Sequence, residues 1–66
     1  MTEAEFKTAA EAAFTAQGHV SPVAVVSISA GHCVADVTSD AIPYRVASST
    51  PEDVVSGITR MLTLVI

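Results

Sequence analysis

Apolar residues recur at helical spacing near both ends of this chain and alternate with polar ones in between. Thr2 and Glu5 form a Thr-x-x-Glu capping box, so a helix is predicted to start near Thr2. Residues 3–17 are rich in alanine, the best helix former. Phe6, Ala9, Ala10, Ala13 and Gln17 share one predicted face, Glu3, Lys7 and Glu11 line another, and Phe14 lies at the border. Gly18 is the expected stop. Pro22 then opens a β-rich stretch. Val23–Ser29 is dominated by β-branched residues and reads as a strand. Ala30-Gly31 marks a turn, and His32–Thr38 alternates as a second, antiparallel strand. Ser39-Asp40 marks another turn before a third strand, Ile42–Ala47, where Pro43 indicates an edge position. Ser49-Thr50-Pro51-Glu52-Asp53 supplies a cap, a proline in the first helical position and two acids in the first turn. The helix that follows carries Val54, Ile58, Met61 and Val65 as a stripe, flanked by Val55, Leu62 and Ile66, with Leu64 outside it.

The predicted fold class is therefore α+β in the order α-β-β-β-α, one domain over residues 1–66, with two helices on one face of a three-stranded antiparallel meander. Were residues 32–38 a loop, the order would reduce to α-β-β-α. Strand alternation puts Ala24, Val26, Ile28, Cys33, Ala35, Val37, Ile42, Tyr44 and Val46 toward the helices. It puts Val23, Val25, Ser27, His32, Val34, Asp36, Pro43, Arg45 and Ala47 on the opposite face. An antiparallel sheet can leave such a face in water. A valine-bearing face with no third layer is also the form of a partner or dimer surface.

Composition narrows what that surface can meet. A domain of 66 residues is marginal by itself, and Cys33 is the only cysteine, so no disulfide forms within the chain. A single free thiol suits a reducing compartment, and a cytoplasmic location is expected. The net charge is −4, and Lys7, Arg45 and Arg60 are the only Lys or Arg residues. Three scattered cations make no basic patch, which argues against nucleic acid and anionic membranes as partners. The N-terminal region carries Glu3 and Glu5 and no long apolar core, unlike a signal peptide.

Candidate chemistry is sparse. His32 and Cys33 are adjacent, but neighbours on a strand point to opposite faces and form no dyad. Cys33 is expected in the core. His32–Val37 resembles a fragment of heavy-metal-associated domains, whose loop reads Cys-x-x-Cys; here Ala30 stands at the first cysteine position. His19, His32 and Cys33 lack the ligand spacings of zinc sites, and His19 is expected in an exposed loop. There is no Gly-x-Ser-x-Gly elbow or glycine-rich phosphate loop, and Asp36 and Asp40 flank a turn where acids are usually solvated. No enzymatic activity, metal or cofactor is expected.

Two families share features of the pattern. The α-β-β-β-α order resembles that of double-stranded RNA-binding domains. Where those begin their last helix with a basic Lys-Lys-x-Ala-Lys, this chain has Thr50-Pro51-Glu52-Asp53, which would repel phosphate. Residues 2–18 and 44–62 resemble the W-type head-completion proteins of lambdoid phages, small α-β-β-α domains with an early Ala-rich helix and a Thr/Ser-capped second helix. This chain has a longer middle and lacks their basic tail.

These readings converge on a small acidic non-enzymatic protein-interaction module, an inhibitor or adaptor. One form it could take is a phage-encoded protein acting on a host defence complex. The alternative is a phage-type structural or assembly subunit that oligomerises through its sheet face and C-terminal helix. The expected partner is another protein or a second copy. The expected contact residues are Val23, Val25, His32, Val34, Asp36 and Arg45 on the sheet, with Glu3 and Glu11 on the first helix.

Overall fold

The computed structural model describes residues 1–64. Its elements run α1 (Glu3–Ala16), β1 (Val23–Ser29), β2 (His32–Ser39), β3 (Ile42–Ser48) and α2 (Pro51–Leu64). This is the α-β-β-β-α order, with the second strand formed and β2 and β3 each running one residue further than predicted. Val65 and Ile66, placed by the sequence on the second helix, lie outside the described residues.

Each helix begins where its cap directs. The Thr2 hydroxyl accepts from the Glu5 N–H at 3.2 Å, and the Glu5 carboxylate accepts from the Thr2 N–H at 2.8 Å. The Thr50 hydroxyl accepts from the Asp53 N–H at 3.1 Å, with Pro51 opening α2. α1 ends in a Schellman turn. The Gly18 N–H donates to the Thr15 carbonyl and the His19 N–H to the Phe14 carbonyl, while Gly18 takes φ +91° at no side-chain cost.

The sheet order is β1-β2-β3, both pairings antiparallel. β2 and β3 meet through Asp40 and Ala41, both at positive φ (52° and 63°), the backbone of a type I′ turn. Ala24, Cys33, Ala35 and Val37 project from the inner face into a core with Phe6, Ala10 and Phe14 of α1 and Val54, Ile58 and Leu62 of α2. Gly57 lets α2 settle on β3: a Cβ there would stand 3.3 Å from Val46 Cγ1.

The burial of individual residues differs from the sequence expectation in places. Phe14 is fully buried rather than at a border, because the core of α1 is centred on Phe6, Ala10 and Phe14; Gln17 is exposed. The buried line of α2 is Val54, Ile58 and Leu62, with Met61 only half-buried beside it. Ile28 and Ile42 point toward the helix side but remain 37% and 52% exposed; each stands at or next to the end of an edge strand. His19 is half-buried rather than in an open loop.

Candidate functional site

The outer face of the sheet is the candidate site, and its rows follow from the strand register. Val23, Thr38 and Pro43 form one row, Val25, Asp36 and Arg45 the next, Ser27, Val34 and Ala47 a third, and Ser29 and His32 the last. No element among the described residues packs on these rows: the helices are both on the inner side. Val23 and Val25 are 58% and 68% exposed.

The middle row is held by charge. Arg45 Nε donates to Asp36 Oδ1 at 2.7 Å and Arg45 Nη2 to Asp36 Oδ2 at 3.3 Å, a two-pronged contact across β2 and β3. The hydrogen bonds from Arg45 to Asp36, and then the charge of that carboxylate, hold the guanidinium protonated beyond its ordinary range. An exposed pair of this kind adds little stability, but it fixes the orientation of both side chains. Beside it Val34 is half-buried and His32 exposed at the end of β2.

The predicted contact residues thus divide into two groups. Val23, Val25, His32, Val34, Asp36 and Arg45 share the outer face. Glu3 and Glu11 belong to α1 on the other side of the sheet, and Glu11 is already occupied. Its Oε2 accepts from Lys7 Nζ at 2.6 Å and from the Ala24 N–H at 3.0 Å. The Lys7 hydrogen bond, then the Ala24 N–H, hold its carboxyl below the ordinary range.

The sequence reading missed a cluster at the end of α1. His19 Nδ1 lies 2.6 Å from Ser39 Oγ, and the rings of Phe14, His19 and Tyr44 meet edge-on at 5.1, 5.2 and 6.0 Å. The Schellman turn after Gly18 places His19 over Phe14, a contact that motif favours, and this was the available signal. Ser39 is 1% exposed, so its hydroxyl is closed to a substrate and the imidazole serves to satisfy a buried polar group. Cys33 is buried with its thiol near the carbonyls of Ser29 and Ser49, while His32 faces out, so the two stand on opposite sides of the sheet.

Compared with known proteins, the chain matches no family model, no curated protein and no solved structure. No helix among the described residues is long and apolar enough to cross a membrane.

Proposed function

We propose that this chain is a non-enzymatic protein-interaction module, an inhibitor or adaptor of the cytoplasm, that docks on a partner protein through the outer face of its sheet. The observation that supports this reading is the juxtaposition of exposed Val23 and Val25 with the oriented Asp36–Arg45 pair on an uncovered three-stranded face. Apolar area next to directional charge is the composition of a specific protein interface. The net charge of −4 steers such a module toward a basic partner surface.

Site-directed photo-crosslinking tests the reading. A crosslinker at Val25 or Ala47 should give one discrete adduct in an extract of the source cells, lost when Val34→Glu is added. A crosslinker at Thr59, exposed on α2 away from the sheet, should not give that adduct. The same adduct from Thr59, or none from the outer face, overturns it.

A further inference from the structure

The two free edges of the sheet are not alike. The Ala24 N–H donates to Glu11, not to β2, so the backbone N–H and C=O of Ala24 turn away from β2 although its Cα pairs with Val37. Antiparallel alternation then turns the N–H and C=O groups of Val26 and Ile28 outward as well. By the same alternation Pro43, Arg45 and Ala47 face outward on β3. That edge is blunted: Pro43 has no N–H, and Arg45 is charged and exposed. β1, with the sequence VAVVSIS, has neither charge nor proline. Glu11 closes the edge only at Ala24. Among the described residues nothing meets the outward backbone groups of Val26 and Ile28. A groove of ≈ 290 Å³, lined by Glu3, Ala4, Lys7, Ala24, Val25 and Val26, runs between α1 and this edge.

We propose that β1 pairs antiparallel with β1 of a second copy of this chain, about a twofold axis at Ser27, to form one continuous six-stranded sheet. The register follows from which groups are free. An axis at Val26 would set Ala24 against Ile28 of the second copy and require Glu11 to be displaced. An axis at Ser27 sets Val26 against Ile28 in both directions and uses only open donors and acceptors, two hydrogen bonds per pair. The side chains agree. Val26 and Ile28 of both copies meet on the inner side, covering Ile28, which is 37% exposed in one copy alone.

The axis gives a direct test. Ser27 would face its own copy as a non-hydrogen-bonded pair, about 4.5 Å between Cα atoms, within reach of a disulfide. Cys33 is buried, so Ser27→Cys introduces the one exposed thiol. In a glutathione redox buffer at micromolar protein, Ser27→Cys should form a covalent dimer at least about tenfold faster than Ala47→Cys, which stands on the same face near the other edge. Val26→Pro should give a monomer by sedimentation with its far-UV circular dichroism unchanged, because that N–H does not serve the fold. Equal crosslinking rates for the two cysteine variants overturn the proposal. So does a parent chain that stays monomeric up to about a millimolar. Because the proposal stands on the strand edge, either failure leaves docking through the outer face to be read separately by the Ala47 crosslink, which sits on β3 away from the pairing strand.

Discussion

Glu11 ties three parts of the molecule together. One carboxylate oxygen holds Lys7 one helical turn back and caps the Ala24 N–H at the start of β1. Both contacts favour the ionised form, so the folded-state pKa lies below the ordinary value of 4.5. The stability this contributes is full above the unfolded-state pKa and is lost as pH falls through the lower, folded-state one. Glu5 is shifted the same way, first by the Thr2 backbone N–H and then by its side chain. Urea unfolding followed from pH 7 down to below 4.5 should therefore show Glu11→Gln losing less stability on acidification than the parent chain; parallel curves would refute this. At neutral pH, Glu11→Ala should cost roughly 0.5–1.5 kcal/mol, the worth of a hydrogen bond to a charged group discounted for partial exposure. His19 carries a different expectation. His19→Ala leaves the buried Ser39 hydroxyl without its partner and strips two edge-on ring contacts, so a loss of about 1–3 kcal/mol in urea is expected. His19→Ala combined with Ser39→Ala should recover part of that, because the orphaned hydroxyl goes too.

At the scale of the elements, the type I′ turn between β2 and β3 holds a non-glycine residue in a costly conformation. Ala41 sits at φ 63°, a region that L side chains with a Cβ avoid. Ala41→Gly restores the Asp-Gly pair such turns prefer and should stabilise by roughly 0.5–1 kcal/mol, read as a higher urea midpoint at unchanged slope. The elements themselves were legible because each has its own local instruction: the Thr2–Glu5 box, Gly18, the alternation from Val23 to Ala47, and Thr50-Pro51. The inner and outer faces followed from that alternation alone. The rotational phase of the helices was less legible. An alanine-rich α1 offers few large residues to fix its buried line, so Phe14 read as marginal, and α2 has apolar residues at Met61 and Leu62 that fit either of two adjacent stripes. Ile28 and Ile42 alternate correctly, but alternation says nothing about how far the helices reach along a strand. The free edge of β1 could not be read at all. Which of its backbone groups point outward depends on the register with β2 and on one contact from Glu11, both long-range facts.

For the whole molecule, the open questions of stability and association become one. A 66-residue chain buries only about 60% of the surface its unfolded form exposes, which leaves little margin for a core built largely from alanine and valine around two phenylalanines. Pairing through β1 adds hydrogen bonds and covers Val26 and Ile28 without altering either helix. It also aligns two outer faces side by side, so a partner would meet six strands rather than three. Stability then acquires a dependence on protein concentration, because a species that binds only the folded form raises the melting temperature by mass action. For dimer-to-unfolded-chain melting, each tenfold rise in concentration is worth about 0.7 kcal/mol per chain, half of the tenfold increment of 1.4 kcal/mol. For a domain of this size that is a rise of roughly 3–6 °C. Calorimetry over the concentrations at which the parent chain sediments as a dimer should show this slope for the parent chain and none for Val26→Pro. Ala41→Gly should shift the whole line upward without changing its slope, because its turn joins β2 to β3 and lies away from the pairing edge.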